Sequence, residues 1–279
     1  MRDEIRFDER VVLVTGAGRG LGAAYARAFA ARGAAVVVHD AGLALDGRGG
    51  DRAVADAVTR EIAEAGGTAI AAYEDLRTEK ACFHLIELAL ETFGRVDVIV
   101  HNAGLLVFEP LDEPRPSWEA VLRTSLEAPF HITRAAWPAM TGQRYGRLVF
   151  TTSGRAMRLK DSVAGLAAYS AGKMGAFGLM LAVAAEGAAH GIRANAVSPV
   201  AETRMLQRRV EPGELAPELV APAVLYLASD RCDVSGIVLR AAGGTFGTVA
   251  WQNGGEIEGA TPEDIADRWH ELEGVAHLA

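Results

Sequence analysis

Short apolar runs rich in β-branched residues recur along the chain at 11–15, 35–39, 68–73, 96–100, 147–152, 192–197 and 236–240. Between them lie longer Ala-rich stretches, such as 23–31, closed by Gly, Asp or Asn. Near-continuous apolar runs, rather than strict alternation, are the mark of strands buried on both faces, and the stretches between them have helical length and composition. Strand and helix alternating in this order predict an α/β, doubly wound Rossmann fold: a seven-stranded parallel sheet with helices on both faces. Ligands of such sheets gather at the carboxyl ends of the strands.

No solenoid-length repeat and no Pro/Ser-rich linker interrupts the pattern, so residues 1–279 are expected to form one domain, with a C-terminal extension at about 245–279. Within that extension Thr261, Pro262, Glu263 and Asp264 form a helix-start signature, followed by Ile265, Trp269 and Leu272 at helical spacing. The predicted helix ends at Gly274, and its apolar stripe packs either on its own subunit or on a neighbour.

Half of the residues are hydrophobic, enough for an extensive core. The net charge of -8 opposes general attraction to nucleic acid or anionic lipid, so neither a nucleic-acid nor a membrane partner is expected. Cys82 and Cys232 are isolated, which predicts no disulfide and no metal site. The charged start MRDEIRFDER carries no apolar leader and no run of transmembrane length is evident, giving a cytoplasmic expectation.

The first strand runs into Gly16, Gly18, Gly20 and Gly22, with Arg19 and Leu21 between them. Glycines at this turn let a diphosphate approach the free amides and positive dipole of a helix N-terminus. Asp40 closes the second strand, where a carboxylate accepts ribose hydroxyls and repels a 2′-phosphate, favouring NAD over NADP. Arg19 complicates this choice, since its guanidinium suits a phosphate, the ordinary diphosphate or a surface salt bridge. Asp75 and Leu76 end the third strand, and Asn102, Ala103 and Gly104 end the fourth, all positioned to hold adenine and ribose. His101, just before that turn, reads as structural.

Tyr169 and Lys173 lie four residues apart in an Ala-rich stretch and so share one helix face. Lowering a phenol pKa from about 10 to about 7 takes roughly 4 kcal/mol. One cation about 4 Å away, at an effective dielectric near 20, supplies that order of energy. Lys173, aided by an oxidised nicotinamide, is the expected source.

These motifs together resemble the short-chain dehydrogenase/reductase family: TGAGRGLG at 15–22, Asp40, Asp75–Leu76, HNAG at 101–104, Ser153, and YSAGK at 169–173. More narrowly, VVVHDAG, FGRVDVIVHNAG, TRAAWPAM, YGRLVFTTSG and SPVAETRM are similar to the (3R)-hydroxyacyl-CoA dehydrogenase modules of peroxisomal multifunctional enzymes of type 2 and their bacterial relatives. The resemblance implies that Tyr169 exchanges a proton with the reacting oxygen, Lys173 holds the nicotinamide ribose, and Ser153 hydrogen-bonds the substrate. It also implies that Pro199, Val200 and Thr203 lie beside the nicotinamide carboxamide, Val200 standing where many relatives have Gly.

The Ser153–Tyr169 interval is about three residues longer than in many relatives, implying a bulged loop, with Ser162 as a second candidate serine. Ser125 occupies the position of the family Asn in the proton relay. Pro129, by displacing the Ser125 carbonyl, either frees it for a relay water or makes an ordinary packing kink. Met157, Leu159, Met205 and Leu206 are candidates for a hydrophobic substrate wall. Arg155, Arg158, Lys160, Arg204, Arg208 and Arg209 suit CoA phosphates or simply a solvated face.

Gly172, Gly175 and Gly178 permit close helix approach, and the family implies a homodimer or homotetramer. The expected activity is NAD-dependent interconversion of a secondary alcohol and a ketone on a hydrophobic or acyl-thioester substrate, first a 3-hydroxyacyl-CoA. A steroid, polyketide or other hydrophobic hydroxy compound is the enzymatic alternative. A dinucleotide-sensing binding protein without efficient chemistry is the non-enzymatic one.

Overall fold

Val12 and Val14 of β1 (Val11–Thr15) enter one apolar core and Leu13 enters another on the opposite face, all three without solvent exposure. A strand buried on both sides needs covering layers above and below, and the computed structural model supplies them. It describes residues 4–44, 46–114, 116–206, 210–251, 253–259 and 261–272. After β1 come α1 (Gly20–Ala30), β2 (Ala35–His39), α2 (Ala53–Glu64), β3 (Thr68–Ala72), α3 (Glu79–Phe93) and β4 (Val98–His101). Then follow α4 (Trp118–Leu122), a π-helical turn (Arg123–Glu127), α5 (Ala128–Gln143), β5 (Gly146–Thr151), α6 (Gly154–Met157), α7 (Ala167–Gly187) and β6 (Ile192–Val200). The chain continues through α8 (Ala221–Ala228), β7 (Val238–Ala242), β8 (Thr245–Val249), α9 (Pro262–Asp267) and α10 (Trp269–Leu272).

The strand order is β3-β2-β1-β4-β5-β6-β7-β8. The first seven strands in sequence pair in parallel, as the apolar runs predict. The expected count of seven is corrected to eight by β8, which pairs antiparallel with β7. Gly243 and Gly244 form the two-residue connection, with φ of 53° and 75°. Paired positive φ values match the twist of a tight hairpin. The strand escaped the apolar-run criterion because Thr245–Phe246–Gly247–Thr248 is exposed.

Strand ends also shift. Instead of starting at residue 96, β4 starts at Val98; just before it the buried Asp97 carboxylate accepts the Val11 amide at 2.9 Å and Arg95 at 2.7 Å. Three residues beyond its expected end at 197, β6 runs on to Val200 and carries Pro199 into the sheet beside β7.

The segment Ala167–His190 is long and apolar enough to cross a membrane by length and composition, contrary to the sequence expectation that no such run exists. Here it covers the sheet, in contact with β6 and β5. At the C-terminal end, Thr261 and Asp264 complete the expected capping box. Ile265 and Trp269 of that stripe are each about half exposed. The predicted stop at Gly274 lies outside the described residues.

Candidate active site

The sheet order reverses between β1 and β4, and the turns after these two strands are tied together. The Thr15 hydroxyl accepts the amides of Asn102 and Ala103, each at 3.0 Å, and the Asn102 side-chain amide donates to the carbonyls of Thr15 at 2.9 Å and Gly16 at 3.0 Å. Gly16 has φ of 64°, and a β-carbon there would lie 3.0 Å from the Ala103 α-carbon. A β-carbon on Gly22 would lie 2.1 Å from the Gly16 carbonyl oxygen, so Gly22 serves helix-to-turn packing rather than the cleft surface.

Above this junction opens a cleft of about 630 Å³. Of the sequence-predicted site residues, Gly16, Arg19, Gly20, Leu21, Asp40, Asp75 and Leu76 line it around the turn after β1 and the ends of β2 and β3. Asn102, Ala103 and Gly104 line its floor, while Ser153, Tyr169, Lys173, Pro199, Val200 and Thr203 line the other end. Gly22 and Ser125 lie behind the surface. The N-terminus of α1 opens here with no side-chain cap, Arg19 being extended, so its free amides suit an anion. The Asp40 carboxylate accepts the Gly18 amide at 2.9 Å and the Gly42 amide at 2.8 Å, which fixes its direction at the end of β2. The Asp75 carboxyl is held below its usual range by hydrogen bonding to Arg77. A nicotinamide dinucleotide fits this donor set: uncapped amides for its diphosphate, a glycine surface, and an oriented carboxylate for a ribose.

At the far end, Ser153 caps α6, its hydroxyl accepting the Arg155 amide at 3.3 Å. Tyr169 and Lys173 are one turn apart on α7, with the Lys173 Nζ 5.9 Å from the tyrosine ring centre. The Thr152 hydroxyl donates to the Lys173 carbonyl at 3.1 Å, fastening α7 to the end of β5. Burial pushes the Lys173 ammonium down to about 8, and it makes no hydrogen bond among the described residues. A buried donor facing the cleft without a protein acceptor fits a ribose hydroxyl.

The expected lowering of the Tyr169 pKa by Lys173 is not what the protein alone produces. Burial raises the phenol, and only the Ser153 hydroxyl and, more weakly, the Arg155 charge pull it down. Desolvation penalises phenolate and ammonium together, and it outweighs their attraction across this separation.

Ser125 lies in the π-helical turn, buried, with its hydroxyl unpartnered. The Ala128 amide bonds the Arg123 carbonyl, one residue wider than an α-helical bond, and Pro129 has no amide to offer the Ser125 carbonyl. The helix disruption expected at Pro129 therefore takes the form of a π turn. At this turn Gly104 faces both Lys173 Nζ, 3.3 Å from the site of an added β-carbon, and Ser125 Oγ, 3.9 Å from it. Ser162 is exposed and does not line the cleft.

The substrate wall is partly redrawn. Met205 and Leu206 line the cleft, as do Leu105 and Leu106, an apolar pair after the HNAG turn that carried no sequence signal; a β-carbon on Gly47 would lie 2.9 Å from Leu105 Cδ1, so Leu105 packs against the loop after β2 rather than at the substrate end. Leu159 is 92% exposed and Met157 packs against the core, so neither is a wall residue. Arg155 and Arg204 line the cleft, Arg158 does so while paired with Asp161, and Arg208 and Arg209 lie outside the described residues. Lys160 is exposed outside the cleft. Arg240, on β7, also reaches the cleft; hidden within a strand run, it had no local signal. His101 is buried against Phe150, bonded to Thr133 at 3.1 Å and pushed down to about 3 by burial, a structural neutral imidazole.

Residues 10–213 match the family model described as short chain dehydrogenase. The chain belongs to the short-chain dehydrogenase/reductase family. Proteins of this family are oxidoreductases that act on CH–OH groups with NAD or NADP. A putative short-chain type dehydrogenase/reductase of Mycobacterium tuberculosis is 41% identical over 273 residues, covering 95% of this chain and 94% of its own length. Peroxisomal multifunctional enzyme type 2 of mouse is 40% identical over 285 residues, which covers 98% of this chain but 38% of the mouse protein. The chain thus spans little more than a third of that relative. A short-chain dehydrogenase structure from Mycobacterium avium superposes with a TM-score of 0.84 at 36% identity, covering 96% of this chain and 97% of its own.

Proposed function

We propose that the chain interconverts a 3-hydroxyacyl-CoA and the corresponding 3-oxoacyl-CoA, with NAD as the preferred cofactor. The observation that carries this reading is the meeting of Ser153, Tyr169 and Lys173 with the glycine turn and Asp40 in one cleft with apolar lining. The bound nicotinamide supplies the hydride acceptor in oxidation and the donor in reduction. Tyr169 takes the hydroxyl proton in oxidation and returns it in reduction. Ser153 hydrogen-bonds the same oxygen and stabilises charge developing on it. Lys173 binds the ribose and, once a dinucleotide is in place, favours the phenolate. Ser125 keeps its carbonyl available to a relay water because Pro129 cannot bond it.

The cofactor preference rests on Asp40, opposed by Arg19 and by Arg204, whose guanidinium lies within electrostatic reach of both. The acyl-CoA preference is supported by the apolar lining from Met205 and Leu206 and by the cleft arginines. We further propose that residues 1–279 work as one unit with an extension from about 245. A homodimer or homotetramer is supported by Phe130 on α5 and Leu181 on α7, both large, apolar and over 40% exposed.

The test is NADH formation across (R)- and (S)-3-hydroxyacyl-CoA, hydroxysteroids and simple secondary alcohols, with NAD and NADP in parallel. Turnover of a hydroxyacyl-CoA with NAD at the highest kcat/KM is expected. Turnover of steroids with none of thioesters would overturn the substrate, and a higher kcat/KM with NADP would overturn the cofactor preference.

A further inference from the structure

Arg155 stands two residues beyond Ser153 on the single turn of α6, and its amide bonds the Ser153 hydroxyl at 3.3 Å. The arginine is therefore placed by the same side chain that serves the reacting oxygen. Its guanidinium is close enough to act electrostatically on the Tyr169 phenol. It is half-buried in the cleft, and no carboxylate among the described residues pairs with it. Arg158, one turn further on, provides the contrast: it also borders the cleft but is neutralised by Asp161.

Met205 and Leu206, both partly buried, add apolar lining to the same cleft. A half-desolvated cation in such a cleft is costly unless an oxygen acceptor meets it. A guanidinium presents paired donors in a planar fork, which suits a carbonyl or carboxylate oxygen.

We infer that Arg155 binds the C1 oxygen of the substrate, the thioester carbonyl or a free carboxylate, while Ser153 and Tyr169 hold the C3 oxygen. This rests on reading the site as a 3-hydroxyacyl dehydrogenase. Two anchored oxygens fix which face of C3 is presented, and they select compounds with an acyl oxygen two carbons from the reacting centre over plain secondary alcohols.

The experiment compares wild type with Arg155→Met and Arg155→Lys on a 3-hydroxyacyl-CoA, the matching free 3-hydroxy acid and a 2-alkanol, with NADH affinity measured by fluorescence to report an intact fold. Arg155→Met is expected to reduce kcat/KM for C1-oxygen substrates relative to the 2-alkanol by about tenfold or more, mainly through KM. Arg155→Lys should recover part of that loss. A loss confined to the thioester identifies the carbonyl as the ligand, and one confined to the free acid identifies the carboxylate; either supports the assignment. An unchanged ratio with NADH affinity retained overturns the role of Arg155 alone. Wild-type inactivity on both 3-hydroxy compounds overturns the substrate reading and this assignment with it.

Discussion

A β-carbon on Gly172 would lie 2.8 Å from the β-carbon of Ser125, so α7 and the π-helical turn touch directly beneath Lys173. The obstructing atom is attached to backbone and cannot swing aside. Gly172→Ala should therefore destabilise the protein by about 1–3 kcal/mol through overpacking, partly offset by better helix propensity. Gly178, exposed on the same helix with nothing within 4 Å of an added β-carbon, is the control. Gly178→Ala should raise stability by up to about 1 kcal/mol. Thermal unfolding of the two variants would show Tm shifts of opposite sign, and equal shifts would refute the contact.

The buried Lys173 makes stability depend on pH in a defined window. Its folded pKa, about 8, lies below the ordinary value of 10.5, so the unfolded chain binds more protons between these values. Stability from this group is fully present above about 10.5 and is lost as pH falls through about 8. Lys173→Met should then raise the Tm of the cofactor-free protein at pH 7 while abolishing turnover. That advantage should shrink as pH rises from 8 towards 10.5, and a pH-independent difference would contradict the burial argument.

Ser153 acts on Tyr169 in addition to the substrate role proposed for it. Its hydroxyl lowers a phenol pKa that burial raises. Ser153→Ala should reduce kcat by about 10²-fold or more. It should also move the acid limb of kcat/KM for alcohol oxidation to higher pH, because the phenolate becomes harder to form. Loss of rate with an unmoved limb would separate Ser153 from Tyr169.

Thr15 ties the two turns under the cofactor cleft. Thr15→Val preserves shape but removes the acceptor of the Asn102 and Ala103 amides in a site only 2% exposed. The expected cost is about 2 kcal/mol or more, together with a larger Kd for NADH. Calorimetry and fluorescence titration measure both, and unchanged values would show that water or rearrangement replaces the hydroxyl.

Much of the site was legible because its chemistry demands particular residues at particular offsets. The glycine turn, Asp40, the Asn102 turn and the Tyr169–Lys173 pair are local statements about strand ends and one helix face. All of them except Gly18 and Gly22 reach the cleft surface. Leu105, Leu106 and Arg240 were missed because an apolar pair after a turn, or an arginine within a strand, carries no offset that distinguishes cleft from core. The exposed strand β8 was missed for the related reason that its two-glycine turn, not its apolarity, sets its pairing.

Apolar runs, breaker residues and motif spacing determined by themselves the parallel sheet and the strand ends and side chains that meet at the cleft, since periodicity and backbone stereochemistry are properties of neighbouring residues. Only the tertiary structure decided that the Tyr169 phenol is raised rather than lowered, that among the described residues Arg155 has no carboxylate while Arg158 has one, and that Pro129 is absorbed as a π turn against Gly172. Desolvation, ion pairing and close packing depend on which distant segments meet, and the order of residues along the chain does not contain those distances.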